Sequence, residues 1–408
     1  MDVEEALERG EIPLYKLDEL LGSSVKATEL RRRFLEKRLG KDLSALKSDL
    51  PFDQIVGRNC ENTIGAVSIP VGVAGPIRVE GSYARGEYYI PLATTEGALV
   101  ASVNRGCAAV RESGGALTAV LADAMTRAPV FETPSVRHSV ALAEWVKREQ
   151  QTLKASFSET TRHGEMIDLK PFVAGRYVFL RLEAKTGDAM GMNMVTRGAE
   201  NVANKIVESN PWARHLALSG NLCTDKKAAA INWVLGRGKT VTAEVTIPQK
   251  IIEEKLKTTP EAMEKVALTK LYLGSARAGV LGGFNAHAAN IIAAVFLATG
   301  QDAAQVVESS LCLTMVEALE DGVYVSVTLP SLEVGTVGGG TWLPAQRTAL
   351  ELMGVSGAGD PPGTNALKMA EIVAATVLAG EVSLIAALAA HHLAKAHVRL
   401  GRGGGSKG

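Results

Sequence analysis

Residues 1 to about 49 are charge-rich, and their apolar positions fall at helical spacing over Leu17 to Leu21 and Ala27 to Leu39, which predicts short amphipathic helices. From Phe52 the texture changes. The run Gly65 to Ile77, punctuated by Gly72, Gly75 and Pro76, and the run Tyr88 to Leu92 read as strands. Thr94-Thr95-Glu96-Gly97 then leads into a helix through Val110, ended by Gly114 and Gly115. Between about 128 and 218 the pattern is strand, long helix, strand, strand, helix, with Val140 to Phe157 and Gly198 to Glu208 helical and Tyr177 to Ala184 alternating as a strand. Two helices on a small antiparallel sheet make an α+β unit, read as an insertion in a larger domain that resumes at Ser219. That domain predicts helices near 228–235, 260–272 and 286–298, a strand over Tyr324 to Leu329, and a long alanine-rich helix from about Ala366 to His397, before a glycine-rich tail at 401–408.

Composition narrows the function classes. The 408 residues are enough for two or three domains, and 44 basic against 44 acidic residues give no net charge. That balance argues against nucleic acid and against an electrostatic membrane patch, leaving a small molecule or another subunit as partner. Cys60, Cys107, Cys223 and Cys312 are scattered without zinc-ligand spacing, so neither a metal site nor a disulfide framework is expected. The start Met1-Asp2-Val3-Glu4-Glu5 lacks the basic, apolar character of a signal peptide, and the apolar stretch Ile372 to Ala390 is interrupted by Gly380 and Glu381. A soluble, cytoplasmic chain is expected.

Candidate chemistry centres on Ser219-Gly220-Asn221-Leu222-Cys223-Thr224-Asp225-Lys226-Lys227. If Thr224 or Asp225 caps a helix there, Lys226 and Lys227 occupy its first turn, where cations oppose the macrodipole at roughly 0.3–1 kcal/mol each and call for an anion to meet them. Solvent-facing lysines are the plain alternative. Gly187-Asp188-Ala189-Met190-Gly191-Met192-Asn193-Met194 joins a strand to a helix and offers backbone N–H groups to a phosphate, although it is not a GxGxxG fingerprint. Gly335-Thr336-Val337-Gly338-Gly339-Gly340 lets a ligand approach the backbone closely. Glu96 reads as a first-turn carboxylate, and Asp302-Ala303-Ala304-Gln305 as a capping box, so neither is catalytic on its own showing. His391 and His392 have Lys395 and Ala396 at i+4, which defeats a helical metal site, while His397 near a helix C-terminus has its charged form favoured.

Together with Glu61-Asn62-Thr63-Ile64-Gly65, Thr94-Thr95-Glu96-Gly97 and Gly300-Gln301-Asp302-Ala303-Ala304-Gln305, these motifs closely resemble those of hydroxymethylglutaryl-coenzyme A reductase, in order from about residue 52 to 399. The resemblance is to the eukaryotic and archaeal class I type. It implies reduction of 3-hydroxy-3-methylglutaryl-CoA to mevalonate and free coenzyme A by two hydride transfers from NADPH. The catalytic positions carried over are Lys226 for the oxyanion, Glu96 as proton donor, Asp302 tuning it, and His397 protonating the thiolate. For Glu96 to hold a proton near neutrality, burial or a neighbouring carboxylate must raise its pKa. Substrate positions are Arg127, Ser219, Asn221, Asp225, Lys227, Lys270 and Asn290. Cofactor positions are Arg162, facing the 2′-phosphate, with Asp188, Met190, Gly191, Met192, Asn193 and Gly338 to Gly340.

The same resemblance implies an α+β fold: a large substrate-binding domain (50–127 and 219–400) around a long central helix, an inserted ferredoxin-like cofactor domain (128–218), a small helical N-terminal domain (1–49) and a flexible tail (401–408). It implies a homo-oligomer, dimer or tetramer, with active sites shared between subunits, and a non-proline cis peptide at Cys223-Thr224. Membrane anchoring is not expected, and neither is control by a serine beyond the last histidine, since Gly403 stands near that place and only Ser406 follows. Two other classes remain open. Cys223 could be a covalent nucleophile, in which case replacing it by Ala abolishes turnover, or the chain could bind NADPH or coenzyme A without consuming either.

Overall fold

The computed structural model describes residues 3–401, with side chains from residue 3 to 390. The chain forms two compact units, one ending at Pro70 and the other beginning at Val71. The first is helical. Leu17–Leu21 and Ser24–Leu39 are helices as the periodicity predicts, the latter capped by the Ser23 side chain, and Leu7, Leu17, Ala27 and Leu30 form its core. Arg31 is fully buried there, paired with Asp18 and donating to the carbonyls of Leu14 and Thr63.

Among its described residues the second unit holds eleven strands: β1 (Val71–Glu80), β2 (Arg85–Ala93), β3 (Ala116–Arg127), β4 (Val130–Glu132), β5 (Glu165–Ala174), β6 (Tyr177–Lys185), β7 (Arg214–Ala217), β8 (Gly238–Pro248), β9 (Gly283–Phe284), β10 (Cys312–Leu319) and β11 (Gly322–Leu332). Period-two burial sets the register of the large sheet. Val241, Ala243, Val245 and Ile247 of β8 lie directly opposite Leu329, Val327, Val325 and Val323 of β11, so both strands turn the same apolar set to one core.

β3 splices two sheets. Its first part, Leu117 to Ala124, pairs with β8, and its last residues, Met125 to Arg127, pair with β6. The second sheet runs β7-β4-β6-β5, all antiparallel, with the helices Val136–Arg148, Gln150–Ser158 and Met192–Ser209 between its strands and a core of its own around Phe131, Phe157, Leu180 and Val202. This strand–helix–strand–strand–helix–strand order is the ferredoxin-like layout expected for the segment. The single helix expected over Val140 to Phe157 is two, broken at Glu149.

Through the core beneath the large sheet runs the helix Thr364–Gly401. Between Ala366 and Ala389 it is apolar on nearly every side and buried, which is what an all-round apolar helix requires. It passes the length and hydropathy test for a membrane span, yet 83% of that window is buried inside the protein, as in a core helix. Small residues let neighbours approach: a Cβ at Gly106, on the helix Leu99–Glu112, would sit 1.9 Å from the Ala379 carbonyl oxygen. Two buried carboxylates anchor the long helix. Glu371 accepts from the N–H groups of Ser82, Tyr83 and Ala84 in the β1–β2 turn, and Glu381 accepts from Ala286 and His287 N–H and the Thr314 hydroxyl. Such charge-assisted bonds contribute about 1.5–3 kcal/mol each.

Candidate active site

The segment 219–229 is a chain of turns, and the helix that follows it begins only at Ala230. Lys226 and Lys227 are therefore not in a first helical turn, and the dipole penalty expected of them does not arise. The bond Cys223-Thr224 is also trans, because among the described residues the cis bonds are Gly75-Pro76 and Asp360-Pro361. The chain reverses instead through left-handed backbone at Asn221 (φ 62°), Thr224 (φ 50°) and Lys226 (φ 61°). Each such residue costs of order 1–3 kcal/mol, and Thr224 is β-branched, so the surroundings must enforce the geometry.

They do so with buried polar groups. Thr126 Oγ1 donates to the Cys223 carbonyl (3.2 Å), Arg181 Nη1 to that of Leu222 (2.7 Å), and Asn232 Nδ2 to that of Thr224 (3.2 Å). The Lys226 N–H donates to Glu308 Oε1 at 2.8 Å. Asp225 accepts from Gln305 Nε2 (3.2 Å) and pairs with Arg127 (3.4 Å) and Arg237 (3.3 Å). Held this way, Lys226 places its ammonium 3.4 Å from Asp302 Oδ2. Asp302 lies just beyond the helix Ala288–Thr299, and its side chain accepts from Ala304 N–H (3.0 Å), so it caps while facing the lysine, but the expected box is not closed because the Gln305 amide turns to Asp225.

Glu96 stands elsewhere. The helix after it starts at Leu99, with Ala98 left-handed, so Glu96 is in the preceding turn rather than the first helical one. Its Oε1 accepts from Asn290 Nδ2 at 3.2 Å. His287 Nε2 is 2.9 Å from the Gly380 carbonyl and so carries the proton, leaving Nδ1 to accept from Asn290 at 3.4 Å. Glu96, Arg105, His287 and Asn290 line one cavity of about 430 Å³. Asn290 is in the first turn of the helix Ala288–Thr299 and Asp302 lies past its last, so about 14 Å of helix separates the two clusters.

Other expected residues have these places. Arg127 donates to Thr196 Oγ1 as well as pairing with Asp225, Ser219 Oγ is 3.1 Å from Cys223 Sγ, and Lys227 Nζ donates to the Asp225 carbonyl. Asn221 and Lys270 are exposed, Lys270 on the helical stretch Ala267–Gly274. His397 lies outside the described side chains. Cys223 is buried against a hydroxyl, which does not present it as a nucleophile.

The two glycine-bearing loops meet. Ala189 bridges to Val337, the N–H groups of Thr336 and Val337 donate to the Asp188 carbonyl, and a Cβ at Gly335 would sit 2.4 Å from Met190 N. Asp188 itself is buried, its carboxylate accepting from the N–H groups of Gly359, Gly363 and Ala366 at the start of the long helix. It thus fixes loop position rather than facing a ligand. Gly191 (φ 93°) opens the helix Met192–Ser209, which no side chain caps, and Gly338 and Gly339 are left-handed, with open space where a Cβ would go at Gly338. Met190 and Met192 pack on the insert's core, while Asn193 and Arg162 are exposed. An uncapped helix N-terminus beside open glycines is the environment an anionic group binds.

Sequence reasoning missed Arg237, Glu308 and Glu333, all buried beneath the Lys226 loop. The signals were faint: an arginine between Gly236 and Gly238, and single carboxylates at the ends of apolar runs.

A strained loop presenting an ammonium group against a carboxylate suits an enzyme that meets developing negative charge. The sequence model of the hydroxymethylglutaryl-coenzyme A reductase family matches residues 27–402. Relatives named 3-hydroxy-3-methylglutaryl-coenzyme A reductase include one from Pyrococcus horikoshii, 54% identical over 98% of this chain and 99% of its own, and one from Aeropyrum pernix, 55% identical over 99% and 96%. One from Methanocaldococcus jannaschii is 48% identical over 98% and 99%. Among solved structures, the class II reductase of Streptococcus pneumoniae bound to NADPH superposes with a TM-score of 0.65 at 20% identity, over 88% of this chain and 96% of that one, a likeness of fold. The chain belongs to the hydroxymethylglutaryl-coenzyme A reductase family.

Proposed function

We propose that this protein reduces 3-hydroxy-3-methylglutaryl-CoA to mevalonate and free coenzyme A, consuming two NADPH and two protons per thioester. The observation that carries the reading is the Lys226 ammonium, 3.4 Å from Asp302 on a loop bound by buried polar groups. NADPH, when bound, would supply the two hydrides, and Arg162, the Met190–Asn193 loop and Gly338 to Gly340 would hold it, with Asp188 fixing that loop from behind. As the thioester carbonyl becomes tetrahedral, Lys226 meets the charge on its oxygen. His397 protonates the departing thiolate, whose free-thiol reference pKa of about 8.5 exceeds the imidazole's of about 6.5. Glu96 then gives a proton to the oxygen formed from the aldehyde, with Asp302 disfavouring its ionisation. Arg127, Ser219, Asn221, Asp225, Lys227, Lys270 and Asn290 bind the glutaryl portion or hold the groups that do.

Glu96 and Lys226 are at opposite ends of one helix, which supports a site completed by a second copy: Glu96 and Asn290 from one protomer, Lys226 and Asp302 from its partner. A second copy would also cover Glu96, exposed in the single chain. We assign the insert 128–218 to the cofactor, 50–127 with 219–400 to substrate and dimerisation, and the protein to the class I type and the cytoplasm. The test is to follow nicotinamide absorbance and free thiol together on adding both substrates. Two nicotinamides oxidised per thiol released is expected. Binding of both ligands with neither consumed would contradict the reading.

A further inference from the structure

Beneath the Lys226 loop three carboxylates, Asp225, Glu308 and Glu333, bring ligand oxygens within 4.8 Å of one another, close enough to enclose a cation. The cation among them is Arg237. Its Nη1 donates to Oε1 of both Glu308 (3.0 Å) and Glu333, its Nη2 pairs with Asp225 (3.3 Å) and touches Met192 Sδ (2.9 Å), and its Nε donates to Thr126 Oγ1 (3.1 Å). Arg237, Glu308 and Glu333 have no exposed side-chain surface.

The charges do not balance with every carboxylate ionised. Asp225, Glu308 and Glu333 face Arg237 and Arg127, leaving one excess negative charge in the interior. Two further cations have carboxylates of their own: Arg181, beside Arg237, belongs with Lys170 to a group balanced by Glu183 and Asp168, and the Lys226 ammonium faces Asp302. An uncompensated buried charge is costly, and so is a buried oxygen without a partner. Glu308 Oε2 and Glu333 Oε2 are both buried and both lack one. The two carboxyl groups are close enough to hydrogen-bond to each other, so one proton shared between them removes the excess charge and offers the bare oxygens a partner.

We propose that Glu308 and Glu333 share one proton, held mainly by Glu333, and that this acid–carboxylate pair, clamped by Arg237, sets the position of Lys226 through its backbone N–H. Glu308, kept ionised, accepts on one oxygen from Lys226 N–H and Arg237 and on the other from the Glu333 acid. Both residues are positioning residues, since neither reaches the substrate. Burial pushes both carboxyl groups up, Glu333 far above the usual carboxylate range. With folded values raised, the stabilisation is full on the acid side, below the unfolded value, and is lost as pH rises through the folded one. Loss of the proton should loosen the loop and lower kcat on the alkaline side with little change in KM.

The inference rests on the role proposed for Lys226, and its test separates the two. Infrared difference spectra of wild type against Glu333→Gln should show the C=O stretch of a buried protonated carboxyl group at neutral pH, absent from the variant. Glu333→Ala should lower kcat about tenfold or more by misplacing the ammonium, whereas Glu333→Gln, neutral and still a donor, should recover to within about threefold and lack the alkaline fall. No difference band, or a glutamine variant as impaired as the alanine one, overturns the proposal. The infrared readout stands even if Glu333→Ala fails to fold. Lys226→Ala should keep the band; if it also kept turnover, the role of Lys226 would fall while the shared proton stood.

Discussion

At Lys226 a left-handed backbone, an N–H held by Glu308 and an ammonium aimed at Asp302 coincide in one residue. Strain of that kind persists only where the surroundings over-determine it, and here Thr126, Arg181, Asn232 and Glu308, which bind the loop's backbone, are fully buried. The acid for the thiolate is assigned to His397, so His397→Gln should slow reduction of the thioester far more than reduction of added mevaldehyde, by about 10²-fold or more in kcat. Equal loss of both rates would remove that role. Cysteine chemistry gives an independent check on burial. Cys60 is exposed, whereas Cys107 is fully buried, its thiol pushed up to about 12 by desolvation and so protonated at neutral pH. Brief alkylation of the native protein followed by mass spectrometry should label Cys60 and spare Cys107; label on Cys107 would mean that the core around it is open.

Among the elements, the long helix Thr364–Gly401 ties distant parts of the second unit together through Glu371, Glu381 and the Asp188 carboxylate at its start. Asp188→Ala removes an acceptor from three N–H groups, two of them buried, and should cost about 2–4 kcal/mol, seen as a lower melting temperature, with Asp188→Asn recovering part. An unchanged melting temperature would contradict the capping role. The long helix was legible in the sequence because its apolar run is long and closes with a charged end, and the insert because its periods switch from two to 3.6. The loop at 219–229 was not: Thr224, Asp225 and two lysines before Ala228-Ala229-Ala230 imitate a capped helix, and only tertiary bonds from Thr126, Arg181 and Glu308 make it a set of turns. The Arg237 cluster was hidden for the same reason, since its members come from segments far apart in sequence and no local pattern announces a buried charge.

At the scale of the whole molecule, the helix Ala288–Thr299 keeps Glu96 with Asn290 at one end and Asp302 with Lys226 beyond the other. If each site takes one pair from each of two copies, a mixed dimer of Lys226→Ala and Glu96→Gln chains contains one intact site. Subunit exchange between the two inactive variants should then restore about a quarter of wild-type activity, half the dimers being mixed and each with one of two sites intact. No recovery despite proven exchange would place both residues in one protomer's site. Whether the Lys226 ammonium meets the negative charge arriving on the thioester oxygen is read from single-turnover absorbance with Lys226→Ala. The variant should still bind 3-hydroxy-3-methylglutaryl-CoA but oxidise no NADPH on the wild-type timescale, a loss of about 10³-fold or more; oxidation within a few-fold of wild type would rule that role out.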